Sequence, residues 1–336
     1  RRAGRDDHQR GRRSVNRPSF ELKVGKEEFK KDRENGLLGI GVTRTMGLPI
    51  ECMSATISAG HGLRFGKDDG AVLKLGYDDD LEEAFTGSLD STVHGMSVLT
   101  LNAVGMSAKL LDMRINKVFM SQTAGEIAES LAGEAGVQVE RADSGISFPV
   151  YIIDDRSSCY EHLLMLARRC GYDVYVNDGG KLVFGKFEGK SKHRFEYGKQ
   201  VLGARLVEEL TTYEGVKTYG ESPSSSKGSD TYHWLTKDEV LGSAGGERVL
   251  IKTDYALKSR ESAEEAAKAH LGAREYRRHL ELEIAGDPKV RIGDAAEVDG
   301  FEKDEVNGKY EIIEVRHTLD KRTGFRSRVG CRRGPE

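Results

Sequence analysis

Between Ser19 and about Ile115 the chain alternates apolar and polar residues in short runs punctuated by glycine: FELKV, IECMSATIS, AVLKLGY, AFTGSL and SVLTLNAVG. This period of two constrains the fold more than any other feature. Successive strand residues point to opposite faces, so each run has one face for a core and one for solvent, and a one-residue slip would exchange them. A helix needs a period near 3.6, so the alternation points to strands rather than helices. An antiparallel barrel or sandwich over residues 18–115 is expected.

The texture changes at Asn116. In TAGEIAESLAGEAG, Thr123 stands three residues before Glu126 as a capping box, Ile127, Leu131 and Ala135 form one stripe, and Gly136 marks the end. The β-branched run PVYII follows, then SSCYEHLLMLARRCG, with Leu163, Leu166, Ala167 and Cys170 on its apolar side. YDVYV and KLVFG flank Asn177-Asp178-Gly179-Gly180, residues suited to a hairpin turn. Residues 116–190 are expected to form a compact α/β unit with two helices. Strand texture returns over 191–333 with HRFEY, ARLVEEL and VKTYGES, and the polar loop SPSSSKGSD interrupts it. An inserted helix over 262–278, opened by Ser262 and Glu265, precedes LELEIAG, AAEVDG, YEIIEVRHTL and FRSRVG. The fold class expected is therefore α+β, mostly β, with two β units flanking the mixed one.

The 336 residues suffice for two or three domains, and a net charge of −3 argues against a dedicated nucleic-acid binder. Seven arginines among residues 1–17 read as a basic flexible arm. Four cysteines, Cys52, Cys159, Cys170 and Cys331, lack CxxC spacing and suggest neither a zinc site nor a disulfide framework. No apolar run has the length of a membrane span.

Four patterns were weighed as chemistry. YDDDLEEAFTG, Tyr77 to Gly87, packs five carboxylates into six residues, but Glu83 stands where a calcium loop needs glycine; the run is expected to be a hairpin tip. Gly60 to Lys67, GHGLRFGK, matches neither GxGxxG nor the Walker spacing and is expected to be a β-turn. His162 and His317 belong to no metal-binding pair, and Cys159 and Cys170 sit in an apolar helix. No GxSxG is present. No residue is assigned as catalytic, cofactor-binding or metal-binding, and no cofactor is expected.

Three phrases together resemble the late control protein D and VgrG/Pvc8 family, the baseplate hubs of contractile phage tails and injection systems. They are AVLKLGYDDDLEEAFTGSLDS; TAGEIAESLAGEAGV with SSCYEHLLMLARRCGYDVYVNDGGKLVFG; and GDPKVRIGDAAEV with GKYEIIEVRHTLDKRTGFRSRV. The resemblance spans roughly residues 18–333. It implies a hub-type fold in which two tube-like β-barrel domains carry the α/β domain. It also implies a homotrimer that adapts a hexameric tail tube, or its initiator, to a trimeric central spike among other baseplate proteins. DNA or cargo would meet the chain only by passage through the lumen. The expected location is the baseplate of a virion tail or phage-tail-like particle assembled in the bacterial cytoplasm. The family has no catalytic residues to carry over, so a non-enzymatic role is expected. The alternatives are a tail-associated peptidoglycan hydrolase and the hub fragment of a longer VgrG-type spike protein.

Overall fold

The structure, a computed structural model, describes residues 17–333 apart from 32–35, 47–50, 59–62, 190, 209–211, 222–238 and 274–277. The basic arm, save Arg17, and the SPSSSKGSD loop lie outside the described residues.

The first β region holds β1 (Pro18–Val24), β2 (Glu27–Lys30), β3 (Leu37–Thr45), β4 (Cys52–Ser58), β5 (Gly70–Tyr77), β6 (Asp80–His94) and β7 (Val98–Val104). Its alternation is read directly by burial. Met53, Ala55 and Ile57 of β4 are buried while Ser54 and Ser58 are exposed. Leu22, Val42, Leu73, Phe85 and Leu101 close the same core from other strands.

The middle region holds α1 (Ser107–Asp112), β8 (Lys117–Thr123), α2 (Ala124–Glu134), β9 (Gln138–Ala142), β10 (Ser147–Ile153), α3 (Cys159–Cys170), β11 (Asp173–Val176) and β12 (Lys181–Gly185). Helix α2 starts at the capping box: Thr123 Oγ1 accepts from the Glu126 N–H at 3.3 Å, and Glu126 Oε2 accepts from the Thr123 N–H at 2.8 Å. Ser158 and Glu161 repeat the device on α3, which ends at Gly171 with φ +66°. Both helices bury their stripes, through Ile127, Leu131, Leu163 and Leu166, in one core with Phe148, Tyr160 and Phe184.

The remainder holds β13 (Lys192–Glu196), β14 (Val201–Glu208), β15 (Gly215–Tyr219), β16 (Leu241–Gly245), β17 (Val249–Thr253), α4 (Arg260–Gly272), β18 (Arg278–Ala285), β19 (Ala295–Asp299), β20 (Gly308–Asp320) and β21 (Gly324–Arg333). Helix α4 corrects the expected span of 262–278. Its N-cap is Ser259, whose hydroxyl accepts from the Ser262 N–H at 3.2 Å, so Ser262 is the third helical residue rather than the cap. Ala263 and Ala266 of α4 pack into the core shared by α2 and α3. A separate core gathers Leu280, Leu282, Ile284, Tyr310, Ile312 and Val329.

The chain is α+β and mostly β. Thirteen strands form one sheet along the path β14-β18-β21-β20-β3-β4-β7-β6-β5-β1-β2, with β19 branching from β20 and carrying β13. Strand β20 pairs β3 antiparallel from Glu314↔Thr45 to Asp320↔Gly39, so one ladder joins the first and last β regions. The path is open at β14 and β2, and no closed barrel is found among the described residues.

Candidate functional site

The sequence candidates disperse. Tyr77 pairs with Asp80, Asp78 takes φ +50°, and Asp78 and Arg17 exchange backbone-directed bonds; only the first acids form the tip, and Asp80 onward runs along β6. Gly66 accepts from the Asp69 N–H at 3.3 Å in a β-turn, while residues 60–62 lie outside the described set. His162 is buried on α3 with Nε2 3.1 Å from the Asp154 carbonyl. His317 stands near the end of β20, three residues before Asp320. Its Nδ1 lies 2.8 Å from Ser327 Oγ, which also accepts from the Asp287 N–H. Burial, helped by the charge of Arg44, holds His317 down to about 3 and keeps the ring neutral. Burial pushes the Cys159 thiol up and the Cys170 thiol up to about 11, which disfavours the thiolate. Among the described residues no cluster of three His, Cys, Asp or Glu has metal-binding geometry.

What the fold builds instead is a surface. Residues directly opposite in a ladder share a face. One row across it reads Glu283, Arg328, Arg316, Thr43 and Cys52; the next reads Arg326, Thr318, Gly41, Ser54, Asn102 and Ser91. The row between them, Ile284, Ser327, His317, Val42, Met53, Ala103 and Leu89, is buried. A single polar face therefore runs over seven neighbouring strands, from β18 to β6. Hydroxyls and glycines dominate its β3–β4–β7 part, where Thr56 bonds Thr100 at 3.3 Å and Ser54 bonds Asn102 at 3.0 Å.

A buried ionic junction holds the regions that frame this face. Arg44 of β3 has its side chain 6% exposed and meets Glu51 at 2.7 Å; its other nitrogen pairs with Asp178 in the β11–β12 turn. Asp178 also meets Arg291 at 2.7 Å. Burial pushes the carboxyls of Glu51 and Asp178 up, against the pull of the guanidiniums. A second knot joins β11 to β20 and β21: Arg332 pairs with Asp173 and, at 2.7 Å, with Glu311. Glu311 is fully buried beside Asp173, and burial followed by that neighbouring charge pushes it up to about 8. A cavity of about 260 Å³ lies between the two knots, lined by Tyr175, Asp178, Arg291, Asp294 and Glu311. Its partners are far apart in sequence, which hid them. The one available signal was parity: Arg44 falls on the same alternation as Ile40 and Val42, an inward position.

The polar sheet face spans seven strands and the mixed unit is tied to it by buried ion pairs, and solved structures share this overall fold. The chain is similar to the prophage MuSo2 43 kDa tail protein from Shewanella oneidensis, with TM-score 0.70, 18% identity, and coverage of 93% of this chain and 98% of that one. It is similar to the tail protein from Neisseria meningitidis MC58, with TM-score 0.68, 13% identity, and coverage of 94% and 96%. The E. coli c3393 protein, a type VI secretion component described as structurally similar to bacteriophage T4 tail proteins gp27 and gp5, aligns with TM-score 0.60, 10% identity, and coverage of 94% and 77%. No protein-family profile and no curated protein matches the chain. The fold is thus shared with phage tail and type VI secretion proteins along nearly its whole length.

Proposed function

We propose that the chain is a structural baseplate hub of a contractile phage tail or phage-tail-like particle. Three copies close into a collar, each supplying two barrel-like lobes, and the collar adapts a hexameric tube to a trimeric spike. The chain acts by binding and catalyses no reaction. The observation that carries this reading is the continuous polar face running from the last β region into the first across the β20–β3 ladder. Such a face suits the wall of a passage, and the edges of β14 and β2, free among the described residues, are sites where neighbouring copies remove exposed backbone.

Native mass spectrometry of the purified chain, alone and with tube and spike proteins, tests the reading. Three copies per complex are expected. A chain that stays monomeric with both partners present, or clears a cell-wall zymogram, overturns it.

A further inference from the structure

A cleft of about 900 Å³ lies where α3 and α4 both end, bordered by β17 and the segment after β12, and it adjoins the ionic junction's cavity at Asp173, Lys186 and Phe187. Its charge is one-sided. Arg168, Lys186, Lys252 and Lys268 line it, and among the described residues none of the four makes an ion pair with a carboxylate. Glu265 and Asp173 are the acids on its wall, and Asp173 is taken by Arg332.

Two features separate this cleft from an ordinary solvated surface. Lysines near helix C-termini answer the partial negative charge there, which accounts for Arg168 on α3 and Lys268 on α4. Lys252 on β17 and Lys186 after β12 belong to neither helix. Lys252 is also half-buried, and its ammonium lies 3.4 Å from Nδ1 of His270 rather than against a carboxylate. Burial first, then the charge of Arg168, lowers its proton affinity, while burial holds His270 down to about 4, so the imidazole stays neutral. Asp254 offsets this only as the smallest of the influences on Lys252, and a half-buried cation with no carboxylate in contact is costly, so an anionic occupant relieves that cost.

Helix polarity narrows the occupant. Phosphates favour helix N-termini, where backbone N–H groups point at them. Here both helices end beside the cleft, at Gly171 and Gly272, so the negative ends of their dipoles and their last carbonyls lie next to it. Densely charged phosphate is disfavoured beside those carbonyls; carboxylates spaced along a peptide can reach the lysines and avoid them. We infer that this cleft docks a carboxylate-rich segment of another protein, held by Lys252, Lys268, Arg168 and Lys186.

Fluorescence anisotropy with the full chain at low salt tests this. The probes are a labelled decapeptide alternating glutamate and glycine, its glutamine counterpart, and a labelled single-stranded decathymidylate. The glutamate peptide is expected to bind, to weaken with salt, and to lose about tenfold or more with Lys252→Gln plus Lys268→Gln. Arg168→Gln with Lys268→Gln repeats the loss at exposed positions, and Glu265→Gln strengthens binding about twofold, a gain that misfolding cannot give. Equal binding of the glutamate and glutamine peptides, or variants that leave affinity unchanged, overturns the inference. Decathymidylate outbinding the peptide in a Lys252-dependent manner overturns it too and assigns the cleft to nucleic acid.

Discussion

Asp178, in the turn between β11 and β12, pairs with Arg44 on β3 and thereby ties the mixed unit to the first β region. The turn's own geometry prepares this contact. Asn177 accepts from the Gly180 N–H at 2.9 Å and Gly180 takes φ +70°, leaving Asp178 at the tip with its side chain 13% exposed.

Asp178→Asn leaves the Arg44 charge buried with Glu51 alone and removes the anion facing Arg291. A loss of about 3–5 kcal/mol is expected on breaking a buried pair from one side. Replacing Arg44, Glu51 and Asp178 together by apolar residues of similar volume costs less than the single change. Urea unfolding of the two variants checks the order, and a single-variant loss under about 1 kcal/mol contradicts it.

Stability is expected to peak near pH 6.5. Glu311 moves from an ordinary 4.5 to about 8 on folding, so the folded state holds the extra proton and stability falls as pH rises across that window. His317 and His270 move the other way, from 6.5 to about 3 and about 4, so the unfolded state takes up protons first and stability falls as pH drops below 6.5. Each group contributes about 1 kcal/mol per pH unit inside its window. Thermal midpoints from pH 4 to 9 record the curve, and Glu311→Gln should flatten the alkaline limb up to about pH 8 while steepening the acid limb above 4.5.

Two glycine-to-alanine changes should have opposite signs. A Cβ at Gly242 would lie 2.1 Å from the Ala263 backbone, so α4 rests directly on β16, and a loss of about 3 kcal/mol is expected from overpacking. Gly133 lies within α2 with nothing within 4 Å of an added Cβ, so alanine there gains about 0.5–1 kcal/mol. Chemical denaturation distinguishes them, and a stabilising Gly242→Ala would mean that α4 does not seat there.

Ser259→Ala is expected to cost about 1 kcal/mol as the loss of an N-cap. Glu265→Ala, at the position that the sequence pattern made the cap's partner, should have little effect. Equal losses at both positions would restore the later helix start.

The helix start illustrates where the sequence was readable and where it was not. Ser262-x-x-Glu265 matches a capping box, but so does any serine three residues before an acceptor, and Ser259 uses the hydroxyl of Ser262 itself. Thr123 was legible because Glu126 stands at the third helical position and an apolar stripe follows, whereas the same signal from Ser158 and Glu161 went unread. Strand alternation was legible wherever one face is buried, as at Met53, Ala55 and Ile57. The six residues of α1 are too few for a helical period to stand out. Asp173, Glu311 and Arg332 meet only through the fold, and the sequence pattern contains nothing that couples them.

The ladder between β3 and β20 runs through seven opposed residue pairs, and it has a mechanical consequence. A pull along these strands loads the hydrogen bonds together in shear instead of peeling them one by one. Hinge bending between the two lobes would have to break that register. Force received at one end of such a body is passed on as displacement of the whole.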